Sequence, residues 1–196
     1  MTPGRFGAAL VLAVAGCATG PGPAPAHEPK GVAVRLENAD VELDPAPGRD
    51  CPLKWACNMH SDPRSFRFGV DDAVAASGRR SLRVVRERNE PWAVATQTVW
   101  LAPQQQGARM RYTLAVRSLS EGGAGAGAIF TAQNGSGVQV GLSKRHVPSD
   151  GRWHRVELEF TVPDRAVLIE VGGVIEGSGP AWFDDAHLEL VRSKAQ

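Results

Sequence analysis

The sequence is short of several things, and each shortage excludes something. It has 3 cysteines in 196 residues, too few for a miniature scaffold held together by disulfides. It has almost no excess of either charge, with 22 Lys and Arg against 21 Asp and Glu. That removes the basic field on which nucleic-acid binding rests. It has no apolar run of the ~20 residues that a membrane-spanning helix needs, no internal repeat and no long window of helical amphipathicity. It lacks both the G-x-S-x-G nucleophile turn and the H-E-x-x-H zinc motif. The glycine-rich tract 122–128 matches neither the dinucleotide nor the Walker phosphate loop, and no helical pattern follows it. What is present is 42% hydrophobic residues, enough to exclude a wholly disordered chain. The length suits one domain with extensions.

The N-terminus reads as a targeting segment. Residues 1–16 carry one charge, Arg5, and then an apolar run over 6–15 broken only by Gly7. The run ends in Val14-Ala15-Gly16-Cys17, which resembles the bacterial lipobox. The resemblance implies cleavage before Cys17, acylation of that residue and a membrane partner reached through lipid. Each buried CH₂ of an acyl chain contributes about 0.8 kcal/mol, so such an anchor holds without a transmembrane helix. With Ala18 next, the resemblance implies an outer-membrane location in the cell envelope, facing the periplasm or the cell surface. The alternative is an ordinary secretory signal with a chance cysteine. Residues 17–30, with Pro21, Pro23, Pro25 and Pro29, read as a flexible tether, and 31–196 as the folded domain. Without Arg5, acidic and basic residues balance, so no electrostatic partner is implied. In an oxidising envelope Cys51 and Cys57 read as a disulfide. The alternative is a metal site with His60 and Asp62, at a spacing that fits no zinc pattern.

From Gly31 onward the dominant period is two. Arg155 to Val162 alternates strictly between polar and apolar. Met110, Tyr112, Leu114 and Val116 share a face, as do Val138, Val140 and Leu142, and Val167, Ile169 and Val171. Gln97, Val99 and Leu101 stand opposite Thr96, Thr98 and Trp100. Leu82 with Val84, Ile129-Phe130, and Leu188 with Leu190 supply further strands. Such alternation marks half-buried strands, and turn signals such as Asn134-Gly135 and Gly177-Ser178-Gly179-Pro180 separate them. The pattern predicts an all-β fold, a two-sheet antiparallel jelly-roll β-sandwich.

Several segments then resemble one family in order. Leu36 to Glu42 resembles the opening N-x-x-F-E strand of carbohydrate-binding jelly rolls of the galactose-binding-like superfamily, with Val41 in place of Phe. Ser77 to Val84 resembles their turn and strand, Gln97 with Val99 and Leu101 their Q-x-v-x-l strand, Tyr112 to Ser118 and Gly151 to Pro163 further strands, and Gly177 to Glu189 their final strand. The resemblance covers about residues 36–191 and implies a sugar-binding module, often an accessory to an enzyme. It also implies a structural calcium, with Glu42, Gly78 and Asp185 at the matching positions. Carboxylate and carbonyl oxygens suit that ion; the alternative is that Asp184 and Asp185 make ordinary turn hydrogen bonds.

Aromatic faces stack on sugars, so the Trp residues are the next candidates. Trp153 and Trp182 match packing positions of the family, and Tyr112 reads as core. Trp92 and Trp100 are the candidate platform, with Arg117 as a polar partner; the alternative is a second apolar cluster. His146, His154 and His187 read as structural, although Asp184-Asp185-x-His187 could imitate an acid–base pair. The function expected is non-catalytic binding of a glycan by an envelope protein. The alternatives are a structural or protein-interaction module, or a hydrolase.

Overall fold

The computed structural model describes residues 22–191. Eleven strands form two antiparallel sheets among them. The first sheet is ordered β3 (Phe66–Asp71), β4 (Ser81–Arg86), β11 (Pro180–Leu190), β6 (Arg109–Ser118), β9 (Trp153–Thr161). β1 (Val32–Val34) completes this six-stranded sheet by pairing with the far half of β11, Val32 opposite Leu190. The second sheet has five strands: β2 (Ala56–Met59), β5 (Ala93–Trp100), β10 (Ala166–Ile175), β7 (Ala126–Asn134), β8 (Gln139–His146). The expected jelly-roll sandwich is the fold found.

The alternation seen in the sequence builds the core. Met110, Tyr112, Leu114 and Val116 of β6 face Ala95, Phe130, Ile169 and Val171 of the other sheet within one buried cluster. Gln97 also turns inward, and its Oε1 accepts the Glu37 backbone N–H at 3.0 Å. Three register shifts interrupt the pairing among the described residues, one of them between Ala166 and Leu168 of β10, and the other two change which residues face the core. In β11 the register slips between Asp184 and His187, and Asp185 sits at φ 48°. Both aspartates then lie off the core, and Ala186 rather than residue 185 turns inward after Phe183. Between β7 and β8 the register slips after Ala132. Val140 therefore packs on the core while Leu142 is 53% exposed, which separates two residues whose spacing in the sequence puts them on one face.

Trp153 and Trp182 are buried, but outside the sandwich. They pack with Ala76 and Ala115 on the outer face of the six-stranded sheet, with Ala24 against them. That contact belongs to a larger docking. Residues 22–30, a tether by composition, cross this face without regular structure. Arg155 Nε donates to the Pro25 carbonyl at 3.0 Å and Arg111 Nη2 to the Glu28 carbonyl at 2.8 Å. The His27 ring stacks on His187 at 3.8 Å, 8° from parallel, and reaches Glu189 at 2.8 Å. The Lys30 N–H donates to the other oxygen of Glu189 at 3.0 Å. Proline content alone makes a strap look free; the arginines beneath supply what its carbonyls need. Cys17, the lipobox residue, lies outside the described residues. Cys51 and Cys57 form a disulfide, closing the loop before β2.

Candidate functional site

The site is built on the outer face of the five-stranded sheet. Residues of one parity along each strand point there: Val94, Thr96, Thr98 and Trp100 from β5, Val174, Gly172, Glu170 and Leu168 from β10, Ile129, Thr131 and Gln133 from β7. Register sets them side by side, Thr96 by Gly172 by Ile129, and Thr98 by Glu170 by Thr131. Gly172 brings no side chain to the floor, and a Cβ there would meet the Ala95 carbonyl at 2.0 Å. The result is a cleft of about 350 Å³. Its floor is apolar at Val94, Ile129 and Val174. Its rims carry the amides of Asn58, Gln133 and Gln139, and Trp92 closes one end.

The polar groups of the cleft are mostly uncharged or paired. Thr96 Oγ1 is buried with no partner. Lys144 Nζ and His146 Nε2 meet the two oxygens of Glu176 at 2.5 and 2.7 Å. Burial alone would push the Glu176 carboxyl up, but those two partners outweigh it and hold the group below its ordinary range. Glu170 accepts from Thr131 Oγ1 at 3.2 Å and Gln133 Nε2 at 3.4 Å.

The structure separates the residues that the sequence groups as a platform. Trp92 lines the cleft, half-buried, edge-on to His60 at 5.8 Å. Trp100 stands on the same face, 73% exposed, in register with Leu168. The eight residue steps from one to the other span roughly 26 Å at strand rise. Arg117 is not with them. It lies on the outer face of the opposite sheet, its guanidinium 4.6 Å from the Trp182 ring centroid and its Nε donating to the Gly151 carbonyl at 2.7 Å. Alternate residues of β6 do point away from the core, but its sheet is the other one.

The calcium positions are divided in the same way. Glu42 does meet the Gly78 turn, where its Oε1 accepts the N–H groups of Arg79 at 2.6 Å and Arg80 at 3.0 Å. A Cβ on Gly78, at φ +59°, would lie 2.2 Å from that oxygen. Asp185 is elsewhere, bound to Arg155 and, at 2.8 Å, to His187. The hydrogen bond from His187 and the Arg155 guanidinium hold its carboxyl well below the usual range. The aspartate that reaches the turn is Asp184, accepting the N–H groups of Ala76 at 2.8 Å and Ser77 at 3.0 Å. Arg80 brings a guanidinium to Asp44, Asp72 and the Glu42 carbonyl. These oxygens face amide donors and guanidinium groups, so the set does not fit a calcium cage. No cluster of three or more metal-ligating side chains occurs among the described residues.

The cleft residues missed in the sequence are Asn58, Thr131, Gln133, Gln139, Lys144, Glu170 and Glu176. Their signal was the polar half of each alternating strand, which reads as solvent-facing unless the neighbouring strands are known.

The fold and its topology define the class of two-sheet antiparallel jelly-roll sandwiches. No family model matches the sequence, and no curated protein matches it. Solved structures do. The C-terminal family 22 carbohydrate-binding module of Clostridium thermocellum Xyn10B superposes with a TM-score of 0.54 at 17% identity, over 81% of this chain and 94% of that one. The CBM22-1 xylan-binding domain of Paenibacillus barcinonensis Xyn10C gives 0.56 at 13%, over 83% and 98%. The enzymatically active domain of tailspike protein 4 from bacteriophage CBA120 gives 0.57 at 12%, and there this chain covers 22% of the longer protein. At these identities the likeness establishes the fold.

Proposed function

We propose that this protein is a non-catalytic glycan-binding module, carried on a lipid anchor at Cys17 in the cell envelope. The observation that carries the reading is the cleft on the outer face of the five-stranded sheet, closed by Trp92 and rimmed by uncharged amides. An apolar floor with a few polar groups suits the faces and hydroxyls of a sugar chain. The relatives by fold point the same way: one is named for the role of its cleft residues in ligand binding, another as xylan-binding. Catalysis is disfavoured by spacing. Glu170 on β10 and Glu176 just past its end, the two carboxylates of the cleft, lie six residues apart, ~20 Å at strand rise. Glycosidases hold theirs about 5–9.5 Å apart. Asp184, Asp185 and His187 are occupied by the turn, by Arg155 and by one another. The test is affinity electrophoresis of the full chain through gels containing soluble polysaccharides. Retardation by at least one, lost in Trp92→Ala with an unchanged melting curve, is expected. Equal migration of wild type and variant through every gel would overturn the reading.

A further inference from the structure

We infer that the cleft selects its glycan by charge: it accepts uncharged or amino sugars and turns away uronic acids, with Glu170 as the selecting group. The inference rests on the glycan-binding reading and narrows it. Glu170 stands on the cleft floor in register between Thr98 and Thr131. Among the described residues its side-chain partners are the Thr131 hydroxyl and the Gln133 amide, both uncharged donors. Its negative charge is therefore open to whatever lies on the floor. The ammonium of the cleft is not. Lys144 is 2.5 Å from one oxygen of Glu176, and His146 is 2.7 Å from the other. A carboxylate on a bound sugar would find no free cation among the described residues of the cleft and would meet Glu170. A hydroxyl or an ammonium would instead donate to it, in competition with Thr131 and Gln133. In a partly desolvated groove a like-charge contact is costly, because the field is less screened than in bulk water.

The experiment compares β-1,4-linked hexamers of glucose, glucosamine and glucuronic acid, alongside neutral, amino and uronic members of other linkages. Affinities for the full chain are measured by calorimetry in low salt. At least one uncharged or amino oligosaccharide is expected to bind more tightly than its uronic counterpart by about tenfold or more, a gap that shrinks in high salt. In Glu170→Gln the ratio is expected to fall at least about fivefold, since the amide keeps the hydrogen bonds and loses the charge. Glu159→Gln removes the same charge from the opposite sheet, where Glu159 pairs with Arg109 at 2.7 Å, and is expected to leave the ratio as it is. Uronic oligosaccharides binding as well as their uncharged counterparts would overturn this inference and leave glycan binding standing. So would equal effects of the two substitutions. No binding by any member would overturn both.

Discussion

Asp184 and Asp185 are chemically identical neighbours with opposite electrostatics, because one bulge turns them to different surroundings. Asp185 faces His187 and Arg155. Asp184 is fully buried beneath the turn at residues 76–78, and burial pushes its carboxyl up to about 7 against the pull of the Ser77, Ala76 and Asp185 N–H groups. A carboxyl raised on folding stabilises the folded chain fully below its unfolded value near 4, and that contribution is lost as pH rises through 7. Asp184 is therefore expected to lower stability between about pH 4 and pH 7, by up to roughly 4 kcal/mol at 1.36 kcal/mol per unit. Urea unfolding of wild type and Asp184→Asn across that range checks it. The variant should show the flatter profile, and parallel profiles would mean that the three amides keep Asp184 ionised throughout.

Among the elements, the long alternating strands were legible and the short ones were not. β6 and β9 each alternate over nine residues or more, so their buried faces could be named from the sequence alone. β1 has three residues and β2 four, too few for a period to show, and both exist by pairing with longer neighbours. Of the cleft, Trp92 alone was legible as a site residue. Trp92 and Trp100 stand out as aromatics, whereas Glu170 becomes a floor residue only when β5, β10 and β7 are aligned. Composition marks the strap as a tether, but composition reports stiffness and solubility, not what lies underneath. Its hold is expected to depend on pH. Burial, followed by the nearby His187, keeps the His27 imidazole below its ordinary 6.5, with Arg155 adding to the effect and Glu189 opposing it. A depressed histidine supports docking above that value and withdraws support as pH falls below it. Hydrogen exchange at the Lys30 amide is expected to speed up, beyond the intrinsic pH dependence, between pH 7 and pH 5. His27→Ala should exchange fast at both, and identical protection factors in wild type and variant would remove His27 from the docking.

For the whole molecule, the sandwich closes its first-to-last seam with its own groups. Glu42 and Asp184 clamp the turn at residues 76–80 through backbone amides, and Arg80 supplies the positive charge. An ion that bound only the folded state would raise the melting temperature with its concentration. The expected midpoint is the same with a chelator and with millimolar calcium. A rise of several degrees in calcium would put a cation at this seam after all. The strap bears on the molecule's orientation as well. It grips the side of the sandwich directly behind the cleft. If acyl chains hold Cys17, the slack between lipid and the first strap contact at Ala24 is at most about 25 Å, at the 3.3–3.6 Å a residue can span. The protein would then lie on its back against the bilayer like an upturned palm, its groove open to passing polymer and shielded from the lipid beneath.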